Sequence, residues 1–145
     1  MSNIIDQLKQ IQADAQVFYI KLHNYHWNVK GIDFHPTHEA TQEIYENFAG
    51  VFDDMAERVL QLGGVPYITL AEILKVAKIK EESAHSFRSE AIAKAILSDY
   101  EYFLGAFSAL SKSADEAGDK VTAAYADDKC AQLQKSIWML KAQLG

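Results

Sequence analysis

The chain has 145 residues, a formal net charge of −6 and a single cysteine, Cys130. This length predicts one domain over residues 1–145, and a hydrophobic content of 49% is enough for a buried core. The acidic balance argues against binding nucleic acid through bulk charge, because phosphate binding needs clustered lysine and arginine. No apolar signal-peptide core and no apolar run of about 20 residues is present. With Cys130 unable to pair within the chain, we expect a cytoplasmic protein without a membrane span.

The first predicted helix carries apolar residues at steps of three and four, which is the spacing of one helical face. We expect this helix to end before Gly31, because glycine can adopt the left-handed backbone of a C-terminal cap. The apolar face spans more than five turns, and its members are Ile4, Leu8, Ile11, Ala15, Phe18, Leu22 and Tyr25.

The second predicted helix runs from about Thr37, its predicted N-cap, to about Leu62, where a Gly-Gly pair and then a proline stop it. A short helix is predicted at 69–77, with Thr69 as N-cap and Glu72 in the capping-box position. The polar stretch 78–89 is predicted to be irregular. The apolar stripe of the second helix is Ile44, Phe48, Val51, Met55, Val59 and Leu62.

Two further long helices are predicted, at 89–116 and 119–144, with Gly118 between them. Each carries its own apolar stripe at helical spacing. Four long amphipathic helices predict an all-α four-helix bundle. The short helix then lies in the connection between the second and third bundle helices, where a long crossover is expected.

One side of the second helix does not have the composition of a solvated face. At about 100° per residue, Asp53 lies roughly opposite Ile44, and Glu57 lies close to Asp53. Like charges at this spacing repel by roughly a few tenths of a kcal/mol, and a cation between them removes the repulsion. A bundle buries one stripe per helix, so we expect the far side to meet another subunit. Its other members are Ala49, Ala56 and Leu60.

Two histidines and two acids form the candidate metal site: His26, His38, Asp53 and Glu57. Imidazole and carboxylate groups together make a ligand set that suits Fe(II) or zinc. A loop containing glycine and proline separates the histidines, and spacing alone does not bring them together. Each pair also has an ordinary interpretation, because histidines at helix ends are often structural and acids four residues apart are common on wet helices.

A di-iron site built within one bundle would use Glu-x-x-His on two helices and one glutamate from each of the other two. The sequence contains one such motif, Glu82-Ser83-Ala84-His85, in the polar connection. We interpret this motif as coincidental, so a metal site contained in one subunit is not expected.

Several separated motifs resemble those of the Dps mini-ferritins, and the resemblance covers essentially the whole chain. The intervals between the motifs also match, most closely in the short-tailed branch that includes the neutrophil-activating proteins. The resemblance implies a ferritin-like four-helix bundle that assembles as a hollow homododecamer of tetrahedral symmetry. The motifs are His26-Trp27-Asn28-Val29-Lys30-Gly31, Phe34, His38, Asp53-x-x-Ala56-Glu57-Arg58, Leu62-Gly63-Gly64 and Ser136-Ile137-Trp138-Met139-Leu140.

The same resemblance implies a ferroxidase site across a two-fold interface. His26 and His38 would come from one subunit, and Asp53 and Glu57 from its partner. These four residues are the implied catalytic and iron-binding groups, with Glu57 as the expected bridge between two iron ions. Zinc could occupy the same ligands. Gln42 stands where many relatives have an acid, which implies a weaker second iron position.

The implied function is iron storage and detoxification, which protects against oxidative stress. Fe(II) would be oxidised preferentially by hydrogen peroxide, with dioxygen as the other possible oxidant, and Fe(III) mineral would be stored in the cavity. Because hydrogen peroxide accepts two electrons from two Fe(II) ions, a paired site can avoid releasing hydroxyl radical. Acidic residues at pores would draw the cation inward.

Residues around the implied site have two interpretations each. Trp27 matches a tryptophan beside the family's ferroxidase site, where it would either quench oxidising equivalents or pack the interface. Lys135 would either reach the site or face solvent. Lys120 and Ala124 stand where some relatives carry acids, which weakens the prediction of an acidic pore. The candidates for that pore are Asp115, Asp119 and Asp127.

Two other functions stay open. The first is a DNA-binding, nucleoid-compacting protein, because many relatives bind DNA through a lysine-rich tail. The first ten residues here contain one lysine, Lys9, and an assembly of subunits with charge −6 should be repelled by DNA at neutral pH. Protonation of the five histidines at lower pH would soften that repulsion. The second is an immune-activating surface protein, on which these residues are silent.

Overall fold

A computed structural model describes residues 2–145 as a four-helix bundle with one additional short helix. The bundle helices are α1 (Ser2–Asn28), α2 (Phe34–Gln61), α4 (Ser89–Glu116) and α5 (Lys120–Leu144), and the short helix is α3 (Leu70–Val76). The strongest packing joins α1 to α2 and α4 to α5. Each of these pairs is connected by a short loop and is therefore an antiparallel hairpin. The long connection through α3 allows α2 and α4 to run parallel, and Arg58 near the end of α2 contacts Asp119 just after the end of α4. The predicted fold class is confirmed.

The start of α2 differs from the prediction. The helix begins at Phe34, so Thr37 lies inside the first turn, where its amide donates to the Asp33 carbonyl at 3.1 Å. Pro36 is compatible with this earlier start, because an amide in the first turn has no partner within the helix. Asp33 is the N-cap without a side-chain capping bond, and its carboxylate accepts a hydrogen bond from Ser89 Oγ at 2.6 Å.

The other helix ends follow the sequence closely. Thr69 caps α3, because its hydroxyl accepts a hydrogen bond from the Glu72 amide at 3.2 Å and donates to Glu72 Oε1 at 2.8 Å. Asp119 caps α5 by accepting from the Thr122 amide at 3.1 Å. The bounds of α4 are those predicted, and the segment 77–88 is irregular apart from one isolated β-bridge.

The core of the bundle is built from the apolar stripes and is centred on aromatic rings. Phe18, Phe48 and Phe103 pack with ring centroids 4.7, 4.8 and 5.4 Å apart, and all three are buried. Burying side chains of this size contributes most of the driving force for folding. Within residues 2–145, no helix is both long and apolar enough to cross a membrane.

Buried polar groups on α1 hold the α2–α4 connection in place. Gln12 exchanges two hydrogen bonds with the backbone of Tyr67, at 2.8 and 3.0 Å. Asp14 accepts from the amides of Lys78 and Ile79, at 2.6 and 3.0 Å. Both side chains are almost fully buried. Gln12 and Asp14 lie on α1, inside the bundle, and bond to the backbone of the α2–α4 connection. These hydrogen bonds fix the path of a connection that has little regular structure of its own.

Candidate metal centre

The loop between α1 and α2 places His26 beside His38. Two backbone hydrogen bonds tie the end of α1 to the connection: the Lys30 amide donates to Phe87 O at 2.8 Å, and the Phe87 amide donates to Asn28 O at 3.1 Å. Gly31 then turns the chain with φ of +115°, a conformation that disfavours any residue with a Cβ. The C-terminal end of α1 and the first turns of α2 therefore meet.

The two imidazole rings are stacked and locked by reciprocal hydrogen bonds. Their centroids are 3.6 Å apart and their planes differ by 14°. His26 Nδ1 lies 2.6 Å from His38 O, and His38 Nδ1 lies 2.7 Å from His26 O. Because a carbonyl oxygen can only accept, each Nδ1 carries the hydrogen and donates it. A neutral ring in this tautomer keeps its lone pair on Nε2, where it can bind a metal.

The surroundings of His26 favour the neutral, metal-binding form. Burial is the largest effect that lowers the pKa of His26, and positive charge on His38 or His23 lowers it further, although the hydrogen bond to the His38 carbonyl acts in the opposite direction. Thr41, which sequence reasoning missed, is buried beside the pair, with its hydroxyl 3.3 Å from His26 Nδ1 and donating to His38 O at 3.0 Å. The sequence signal that could have identified Thr41 was its position three residues after His38.

The two acids lie on the exposed side of α2. The negative charge of Asp53, followed by a hydrogen bond with it, raises the pKa of Glu57 above its usual value. No lysine or arginine within residues 2–145 forms an ion pair with either carboxylate. The repulsion between them is therefore uncompensated in the single chain, as expected for a pair that would accept a cation.

One chain does not bring the two pairs together. His38 and Asp53 are fifteen residues apart on the same helix. At about 1.5 Å per residue this places them roughly 22 Å apart, whereas metal–ligand bonds are about 2 Å long. Accordingly, the described part of the chain contains no group of three or more histidine, cysteine, aspartate or glutamate side chains that could hold an ion.

The chain also leaves the predicted partner-facing surface uncovered. Leu60, on the same side of α2 as the acids, is 60% exposed, and Ala49 is exposed as well. Trp27, next to the buried His26, is 64% exposed and packs its ring 5.3 Å from that of His23. In the single chain these side chains are therefore available for contact with a partner surface.

The remaining predicted residues have varied surroundings. Lys135 is exposed, and Gln42 is exposed and donates to Glu46 Oε1 at 3.0 Å. Glu82 belongs to the irregular connection, where its backbone carbonyl accepts from Asn24, in agreement with a coincidental Glu-x-x-His motif. The proposed roles of Lys135 and Gln42 stay predictions.

The three pore candidates also differ from one another. Asp115 is exposed, and Asp127 is exposed with a hydrogen bond from Ser111. Asp119 is 8% exposed and pairs with Arg58 at 2.8 Å. Sequence reasoning missed this ion pair, because its two members are 61 residues apart. The pore role stays a prediction for all three residues, while Asp119 has structural partners in its own chain.

Comparison with known proteins gives one family. Residues 5–145 match the model of the ferritin-like domain. The DNA protection during starvation protein of Helicobacter pylori is 56% identical over 138 residues, which cover 95% of this chain and 96% of that protein. Such extensive identity shows a relationship over the whole described bundle.

Solved structures agree with this relationship. CAIP of Helicobacter cinaedi is 70% identical and superposes with a TM-score of 0.98, covering 98% of this chain and 99% of that chain. A Dps protein from Vibrio cholerae O1, described as a member of a broad superfamily of ferritin-like diiron-carboxylate proteins, is 30% identical with a TM-score of 0.95, covering 99% and 90%. The chain therefore belongs to the Dps family of ferritin-like proteins.

Proposed function

We propose that the protein is an iron-storing ferroxidase that oxidises Fe(II), its substrate, at sites shared between two subunits of a dodecamer. The observation that carries this proposal is the form of the two half-sites. Within residues 2–145, both Nε2 atoms of His26 and His38 are free for a metal, and Asp53 and Glu57 have no cationic partner. Each pair alone supplies too few ligands, whereas together they make a mixed nitrogen and oxygen set suited to Fe(II).

A second copy of the chain is the partner that completes the site. The two pairs are about 22 Å apart on one chain, so they can meet only when α1 and α2 of one copy lie against α2 of another. The uncovered apolar residues beside both pairs support such an interface, since an obligate interface resembles a core cut in half. Membership of the Dps family supports a closed dodecamer with mineral stored inside it.

The chemistry follows from the donor groups. The neutral imidazoles bind Fe(II) without adding charge, and the carboxylates favour the Fe(III) product because of their negative charge. In the balanced reaction, two Fe(II) and one hydrogen peroxide take up two protons and give two Fe(III) and two water molecules. Glu57 would bridge the two ions, and the carbonyls that hold each Nδ1 keep the rings oriented. Oxidation in pairs avoids one-electron reduction of peroxide.

Peroxide-driven oxidation of Fe(II) tests the proposal. The double variant His26→Ala/Asp53→Ala should lose most of the activity, by about tenfold or more, because the affinity of a metal site falls steeply with each lost ligand. The matched control is His85→Ala/Asp128→Ala, which removes the same types of side chain from exposed positions outside the proposed ligand set. Equal rates for wild type and the first variant would reject the site.

DNA binding is the alternative that the name of the Helicobacter pylori relative keeps open. The charge of −6 per subunit opposes it, because binding to phosphates depends on lysine and arginine. We expect no retardation of duplex DNA at neutral pH and physiological salt. Tight binding under those conditions would favour the alternative, whereas protection of DNA without binding would follow from removal of Fe(II) and peroxide.

A further inference from the structure

Arg58 directly follows Glu57 in the chain, yet its guanidinium group is held by other residues. Nε donates to Thr122 Oγ1 and Nη2 to Asp119 Oδ1, both at 2.8 Å, and Nη1 donates to Gln61 Oε1 at 2.9 Å. Three nitrogen atoms of one arginine are therefore engaged at the start of α5 and the end of α2. This geometry fixes the direction of a side chain that would otherwise sample many rotamers.

An arginine at this position has a nearer partner that it does not use. Asp54 precedes Arg58 by four residues, which is the favourable order for an ion pair on a helix surface. Asp54 instead accepts a hydrogen bond from the Tyr125 hydroxyl at 2.8 Å. Within residues 2–145, Arg58 pairs with Asp119 and with no acid of its own helix. Both members of the expected local pair are thus directed to α5.

Asp119 is well suited to hold the Arg58 guanidinium group. Its side chain is 5% exposed in the ion pair, and it accepts from both the amide and the hydroxyl of Thr122, at 3.1 and 2.6 Å. Although burial raises the pKa of Asp119, hydrogen bonds from Thr122 and Arg58 outweigh it and lower the pKa below the usual range. The carboxylate is consequently a fixed anion at neutral pH.

We propose that Asp119 is a positioning residue that holds the Arg58 guanidinium away from Asp53 and Glu57, so that these acids stay free to bind a divalent cation. The inference rests on the proposed function, because it concerns the acid half-site. A guanidinium released from Asp119 would turn back to the acids of its own helix, first to Asp54 four residues earlier, and would bring positive charge next to the region that the metal ion needs. The ion pair between Arg58 and Asp119 thus controls the charge near Asp53 and Glu57, although Asp119 is not one of the proposed metal ligands.

A double-mutant cycle measures this effect through binding of Zn²⁺, a redox-inert probe, to the assembled protein by calorimetry. Asp119→Asn preserves the α5 cap, because asparagine and aspartate are equally good N-caps. It should weaken Zn²⁺ binding about five- to tenfold, the effect of one positive charge brought to roughly 7 Å from a divalent ion in water-like surroundings. Arg58→Gln alone should change binding by less than about twofold, and Asp119→Asn/Arg58→Gln should return to within about twofold of wild type.

Two results would overturn the inference. If the double variant binds as weakly as Asp119→Asn, the loss is structural and Arg58 is not its cause. Arg58→Gln could instead tighten Zn²⁺ binding by the same factor in the wild-type and Asp119→Asn backgrounds. In that case the charges of Arg58 and Asp119 act independently, and Asp119 does not position Arg58. In kinetic assays, the inference expects Asp119→Asn to raise the KM for Fe(II) with kcat nearly unchanged, and a fall confined to kcat would contradict it.

The test also separates this inference from the proposed function. If wild type binds Zn²⁺ and Asp53→Ala does not, the acid half-site is supported, and an Asp119→Asn variant that binds like wild type then overturns only the positioning role. If wild type and Asp53→Ala bind Zn²⁺ equally, the proposed site and this inference fail together. Size-exclusion chromatography of every variant verifies that the same assembly is compared.

Discussion

Two inactive variants should restore activity to each other if the site is shared between subunits. His26→Ala/His38→Ala removes the histidine half of every site, and Asp53→Ala/Glu57→Ala removes the acid half. Each variant alone should be inactive, because no site then has both halves. In a dimer of one chain of each kind, one site receives the intact acids and the intact histidines, whereas the other receives neither.

The expected activity follows from counting sites. In a random one-to-one assembly, half of the sites have an intact histidine pair and, independently, half have an intact acid pair. About one quarter of the sites are then complete, so peroxide-driven oxidation of Fe(II) should proceed at about one quarter of the wild-type rate. The structure makes this number sharp, because the roughly 22 Å between His38 and Asp53 excludes a complete site within one chain.

The assay is formation of Fe(III), followed by absorbance, in assemblies made by refolding the two chains together. The control mixes the same two variants after each has assembled separately, and that mixture should stay at background while subunits do not exchange. A second control pairs His85→Ala with Asp128→Ala, which should keep the full rate. Background activity in the co-refolded assembly, with its size and composition verified, would refute a site built from two chains.

Three further predictions concern stability. Asp14→Ala should lower the free energy of unfolding by about 3 kcal/mol or more, because it leaves several buried donors, among them two backbone amides, without their acceptor. Denaturant unfolding at fixed protein concentration measures this loss. Gly31→Ala should cost about 1–2 kcal/mol, since φ is +115° and the new Cβ would lie 2.8 Å from Arg88 Nη1. The control is Gly105→Ala in α4, which should be neutral or stabilising because nothing lies within 4 Å of the new Cβ, and equal melting temperatures for the two variants would contradict this prediction. Because the pKa of His26 is lowered from 6.5, the unfolded chain binds more protons below that pH, so stability falls as the pH drops from 6.5 toward the folded-state pKa. His26→Gln should flatten the loss of melting temperature between about pH 7 and about pH 5, and an unchanged pH dependence would exclude His26 as its source.

Local patterns account for most of the fold. Steps of three and four residues placed the apolar faces, and the glycines and the residues at helix ends placed most boundaries, because these effects act within a few residues of the chain. The start of α2 was misplaced, since Pro36 is acceptable both before a helix and in its first turn. Buried Asp14 was not predicted, because nothing local distinguishes a solvated aspartate from one that accepts amides 64 and 65 residues away.

The candidate site divides in the same way. The sequence by itself determined the four ligand types, the unusual far side of α2 and, through the motif resemblance, the expectation of a shared site. Tertiary structure alone decided that His26 and His38 exchange Nδ1 hydrogen bonds with each other's carbonyls, and that Arg58 forms its ion pair with Asp119 rather than with an acid of its own helix. The physical reason is that ring tautomers and ion-pair partners depend on atoms brought together by packing, which residue spacing along one chain does not specify.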